Sequence, residues 1–168
     1  MSVGGQPTRR PRSAARADRG RTLEQLLDAA RSRITRLEPA EAFAALEEGA
    51  LLIDIRSESD RGRDGIIPGS LHIPRTVLEW RLASDSPHRN PYVGGLDDRI
   101  VLICDHGCSS VLAAAALVEL GFAKTGDVIG GFGAWRDAGL PTAAAPTYQR
   151  RPGEIAGMRA PDRGSVTR

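Results

Sequence analysis

The chain has 168 residues, 40% of them apolar, with 23 basic against 21 acidic side chains and a formal charge of +2. This suffices for one ordinary core and is too little for two, and so even a charge balance excludes a surface devoted throughout to a nucleic-acid backbone. The longest unbroken apolar run, 111–118, is far short of the ~20 residues that cross a bilayer, so no membrane partner is expected and the cytoplasm is the expected location.

Residues 1–22 carry Arg9, Arg10, Arg12, Arg16, Arg19 and Arg21 among Gly, Pro, Ser and Ala, with no long apolar side chain after Val3. Such a stretch cannot bury enough surface to offset ordering entropy, and a disordered tail is expected. Thr22 then caps a helix running through LEQLLDAARSRITRL, with Gln25 at the capping-box position. Pro39 opens a second helix that Gly49 stops, and ALLIDI at 50–55 is too short for a helix and fits a buried strand. A turn at Pro68-Gly69 leads into an extended piece, Ser70 to Ile73, and the chain from Thr76 through Ala83 has helical spacing. Trp80 is expected to pack that helix with Leu78 and Leu82.

After a loop rich in Pro, Asn and Gly, Arg99 to Cys104 is the most apolar strand, Ser109 to Leu120 a helix ended by Gly121, Asp127 to Ile129 a short strand and Gly133 to Ala138 a last helix. Residues 143–168, rich in Pro, Gly and Arg, are expected to be a second disordered tail. Short buried strands alternating with helices predict an α/β fold: an open parallel sheet of about five strands with helices on both faces, spanning residues 23–142.

Both cysteines lie in CDHGC at 104–108. In an open parallel sheet, ligands gather where strand C-termini meet helix N-termini, and Cys104 falls there. Gly107 allows a sharp turn, and the unpaired amides of the following helix favour an anion such as a thiolate. A helix N-terminus is also one way to lower a thiol pKa. Position alone leaves a second reading open, a buried cysteine that merely ends a strand. One short loop with no second ligand cluster does not predict a metal site.

Four stretches, in order, resemble the rhodanese-like family across about residues 34–142. LLIDIR at 51–56 is similar to its strand ending in Asp-x-Arg, and GIIPGSLHIP at 65–74 to its Gly-His-Ile-Pro-Gly-Ala-x-x-Ile-Pro signature. IVLICDHGCSSVLAAAALVELGF at 100–122 is similar to its active-site strand, loop and helix, and DVIGGFGAWRDAGLP at 127–141 to its closing Gly-Gly-x-x-x-Trp motif. The insert at 77–91 resembles a bacterial subgroup whose active-site loop is poor in arginine.

The resemblance implies a sulfurtransferase with Cys104 as the catalytic residue, carrying sulfane sulfur as a persulfide from a small donor to a thiol or other thiophilic acceptor, without a cofactor. Asp105, His106, Gly107, Cys108, Ser109 and Ser110 would form the substrate-binding loop, and Asp54 and Arg56 would brace it. Family loops that use thiosulfate commonly carry arginine directly after the cysteine, where this chain has Asp105. That carboxylate counts against thiosulfate, and Arg75, Arg81, His88 or Arg89 of the insert are candidates for the missing charge. Four residues separate Cys104 from Ser109, one fewer than in related phosphatases, whose loop ends in a phosphate-gripping arginine. The alternative is a catalytically weak binding or redox-sensing module using Cys104 and Cys108.

Overall fold

A computed structural model describes residues 20–147 and 155–161. Most of the expected N-terminal tail, residues 1–19, lies outside the described residues, as do 148–154 and 162–168. Five parallel strands form one sheet: β1 (Thr35–Leu37), β2 (Leu51–Asp54), β3 (Leu71–His72), β4 (Ile100–Ile103) and β5 (Thr125–Val128), in the spatial order β1-β5-β4-β2-β3. The helices are α1 (Leu23–Arg31), α2 (Pro39–Glu47), α3 (Glu58–Asp64), α4 (Leu78–Leu82), α5 (Ser109–Glu119) and α6 (Gly131–Asp137).

All four residues of the central strand β4 are buried, and their alternation explains why both faces must be covered. Ile100 and Leu102 join Ile53, Leu78, Leu82, Leu117 and Phe122 on one face. Val101 and Ile103 join Ala42, Leu52, Phe132 and Trp135 on the other. Trp135 is fully buried and meets Phe43 edge to face at 5.9 Å. Trp80 does not share the burial of Leu78 and Leu82. It is 61% exposed, because α4 is short and turns only one side to the core.

The first helix stops six residues before the expected end. Its Thr22–Gln25 capping box forms, but α1 terminates at Arg31, and Thr35–Leu37 becomes the edge strand β1 in register with Gly126, Asp127 and Val128. Pairing with β5 supplies hydrogen bonds that no local periodicity encodes. Gly126 permits it, since a Cβ there would lie 2.2 Å from the Thr35 carbonyl oxygen. Helix α3 was not expected from its polar sequence; Ser57 caps it, and buried Arg61 ties it to Asp54.

Part of the C-terminal segment expected to be disordered is packed. Ala143 bridges Ile66, while the Ala156 and Gly157 carbonyls accept from the buried side chains of Arg81 and Asn90. Composition marked this stretch as unable to build a core. It instead supplies acceptors to a core already present.

Candidate active site

Strand β4 carries Cys104 to the sheet's carboxyl edge, and residues 105–108 turn into α5. Gly107 has φ +70°, and a Cβ there would lie 2.6 Å from the Gly130 amide nitrogen. Gly131, at φ +63°, faces the loop in the same way, its would-be Cβ 2.3 Å from the Cys104 carbonyl oxygen. The Gly130-Gly131 pair therefore lets α6 press against the loop. The Phe132 N–H donates to the Cys104 carbonyl (2.7 Å) and the Gly133 N–H to the Asp105 carbonyl (3.0 Å). With those carbonyls held on the α6 side, the amides of His106 and Ser110 reach the cysteine sulfur.

Cys104 is 5% exposed and a free thiol. Burial pushes its pKa up, but the hydroxyls of Ser109 and Ser110 and the amides of Ser110 and His106 outweigh that and hold it below the ordinary thiol value. The Cys104 Sγ lies 3.2 Å from Ser110 Oγ, which lies 3.0 Å from Asp127 Oδ2. Asp127 is wholly buried and accepts from Arg36 Nε at 2.9 Å and Nη2 at 3.3 Å. Arg36 also reaches the Gly107 carbonyl at 3.5 Å.

The other expected loop residues separate by burial. Gly107 and Ser110 are buried, whereas His106, Cys108 and Ser109 are exposed. Cys108 sits at the N-cap of α5 as a free thiol, its Sγ 3.8 Å from the His106 carbonyl oxygen. Burial and the nearby Asp60 carboxylate push the Asp105 pKa up, against the Arg56 guanidinium. Arg56 Nη1 stands 3.9 Å from Asp105 Oδ1.

Asp54 and Arg56 form a buried bidentate pair, at 3.0 Å from Nε and 2.8 Å from Nη2. Asp54 also accepts the Arg56 amide and Arg61 Nε, and Arg56 Nη2 donates to the Gly65 carbonyl. The guanidinium lies 3.6 Å over the Phe132 ring, so it links β2 to the start of α6. The insert residues considered as charge donors are engaged elsewhere: Arg75 with Glu79, Arg81 with the Ala156 and His88 carbonyls, Arg89 with those of Val93 and Gly94. His88 is exposed.

Arg36 and Asp127 were not anticipated as site residues. They are 91 positions apart, and the β1–β5 register is what brings them together.

A fold and loop of this kind define a class of cysteine-centred α/β domain, and comparison places the chain within it. The family model for the rhodanese-like domain matches residues 38–138. A thiosulfate sulfurtransferase GlpE of Pseudomonas fluorescens Pf-5 is 34% identical over 122 residues, covering 72% of this chain and 98% of that one. The chain belongs to the rhodanese-like family. Among solved structures, a Rhodopseudomonas palustris CGA009 protein of unknown function, described as a possible tyrosine phosphatase, is 37% identical with a TM-score of 0.68, covering 73% of this chain and 95% of that one. The Wolinella succinogenes polysulfide-sulfur transferase homodimer is 25% identical with a TM-score of 0.55, covering 74% of this chain and 88% of that one. Among the described residues no helix is long and apolar enough to cross a membrane.

Proposed function

We propose that this protein is a sulfurtransferase that carries sulfane sulfur as a persulfide on Cys104. The family and the thiosulfate sulfurtransferases similar to it support sulfur transfer. The observation that carries the persulfide reading is a nearly buried thiol, held below its ordinary pKa by two amides and two hydroxyls at the start of an eleven-residue helix.

In the reaction, the Cys104 thiolate attacks the outer sulfur of the donor. A new S–S bond forms, and the donor's bond to that sulfur breaks with its electron pair on the leaving group. The negative charge now on the outer sulfur of the persulfide is received by the loop amides. A thiophilic acceptor then attacks that outer sulfur and regenerates the Cys104 thiolate.

Two features favour sulfur over phosphate, despite the description of the Rhodopseudomonas protein. The loop has only four residues between Cys104 and Ser109, and it ends in a hydroxyl rather than a guanidinium. Asp105 disfavours a doubly charged donor, although Arg56 offsets part of its charge. The name of the relatives makes thiosulfate the first donor to compare with polysulfide and mercaptopyruvate.

Mass spectrometry after incubation with each donor tests the proposal. The expected result is a mass increase of one sulfur that survives Cys108→Ser and is absent from Cys104→Ser. No adduct with any of the three donors overturns it.

A further inference from the structure

Ser110 has one hydroxyl proton and stands between two groups that can each be an anion. Asp127 has no proton to offer when ionised, so the 3.0 Å contact between Ser110 Oγ and Asp127 Oδ2 places the serine proton on the aspartate side. Ser110 then turns only lone pairs toward Cys104, 3.2 Å away, and the sulfur must donate its own S–H. The arrangement is therefore complete for a thiol, and Ser110 contributes to the lowered Cys104 pKa only when its proton turns from Asp127 to the sulfur, so that part of the thiolate's stabilisation competes with Asp127.

When Cys104 loses its proton to water, the Ser110 O–H must rotate from Asp127 to the sulfur. Among the described residues, Asp127 Oδ2 then keeps Arg36 Nη2, while Oδ1 keeps Nε. Once an outer sulfur is attached, the inner Sγ is an uncharged divalent sulfur and the charge lies one atom further out. The serine proton then returns to Asp127. We propose that Asp127, acting through Ser110, is a positioning residue that biases Cys104 toward the states in which Sγ carries no charge, the resting thiol and the loaded persulfide. A thiolate formed against this bias is less stabilised and hence a stronger nucleophile.

Among the described residues, the charged groups around this arrangement include the Asp60 and Asp54 carboxylates that act on Asp105. Asp105 and His106 lie in the loop, Arg56 follows β2 and reaches Asp105, and Arg36 comes from β1. In register with Asp127, β4 presents apolar Leu102. The partial exposure of Arg36, 27% for its side chain, leaves Asp127 with a cation water can screen, so the serine proton remains a significant part of its hydrogen bonding.

The inference rests on Cys104 as the sulfur carrier, but its test needs no sulfur donor. In the full chain, the rate of Cys104 alkylation by iodoacetamide is followed against pH, with the peptide resolved by mass spectrometry so that exposed Cys108 does not contribute. Asp127→Asn replaces the anionic acceptor with an amide that can donate to Ser110 and free its proton for sulfur. The alkylation midpoint is expected to move to lower pH, with the rate below the midpoint raised about fivefold, as for one ordinary hydrogen bond. In a Ser110→Ala background the same substitution is expected to change the rate by less than about twofold.

A midpoint that stays fixed or rises in Asp127→Asn overturns the proposal. So does a downward shift that persists undiminished without Ser110, since that is a through-space charge effect. Should Asp127→Asn not fold, Arg36→Gln is the second variant: Asp127 then holds the serine proton more tightly, and the midpoint rises. A fixed or lowered midpoint there also overturns the idea. If the shifts occur but no donor yields a persulfide, sulfur transfer fails while the Asp127 arrangement stands; persulfide without the shifts gives the converse.

Discussion

Asp54 and Asp127 are the same residue type, both fully buried, on the two strands that flank β4, in register with Ile103 and Leu102 just before the cysteine. Their surroundings differ in how many donors are fixed. Asp54 accepts the Arg56 amide and side chain and Arg61 as well. Asp127 has the partly exposed Arg36 and the hydroxyl of Ser110, whose other neighbour is the reactive sulfur. A buried carboxylate saturated by guanidinium groups is a structural knot. One completed by a rotatable hydroxyl is coupled to whatever else that hydroxyl touches.

The largest expected effect is on the saturated side. Asp54→Ala removes the carboxylate that the buried Arg56 and Arg61 side chains both reach and is expected to cost about 3–5 kcal/mol in urea unfolding. A loss below about 1 kcal/mol would erase the distinction between the two carboxylates. Next comes Arg36→Ala, with an expected loss of about 1–2 kcal/mol, smaller because water already reaches that guanidinium. Unlike Asp54→Ala, it should also shift the alkylation midpoint of the folded protein upward.

A third effect concerns acid. His72, 2% exposed, approaches the Arg56 carbonyl through Nε2 (2.9 Å) and Arg159 Nη2 through Nδ1 (3.1 Å). Accepting from arginine at Nδ1 requires the neutral ring with its proton on Nε2. Burial, then the charge of Arg61, pushes its pKa below the ordinary 6.5. The unfolded chain thus takes up the proton first, so this contribution to stability is present above pH 6.5 and is lost as pH falls through the folded-state pKa. His72→Gln is expected to flatten that acid limb in urea titrations, and an unchanged slope would remove His72 from the Asp54 side of the comparison. The smallest effect belongs to exposed Trp80, remote from both carboxylates in the hydrogen-bond network. Trp80→Ser should alter the unfolding free energy by about 0.5 kcal/mol or less.

The strand, loop and helix around Cys104 were legible because their signals are local: an apolar run, a glycine where φ is positive, then helical spacing. The Gly130-Gly131 motif was legible through family resemblance, and the structure supplies its reason in the close approach of α6 to the loop. β1 was hidden because Ile34 to Leu37 continues the helical pattern of the preceding residues, and only the edge of β5 makes it a strand. The Arg36–Asp127 pair was hidden for the same cause, since strand register has no signature in either segment alone. Trp80 misled because apolar character does not say which side of a one-turn helix faces inward.

The packed C-terminal residues separate two kinds of boundary. The rhodanese-like family model matches residues 38–138, yet Arg81 and Asn90 find their carbonyl acceptors at Ala156 and Gly157. At the other end, Ala30 of α1 packs on Val111 and Ala115 of the helix that follows the cysteine. The span that the family model matches and the span over which polar groups are satisfied are thus different lengths. A protein trimmed to the former would keep every residue of the reactive loop, yet expose one flank of α5 and leave two buried donors without their acceptors.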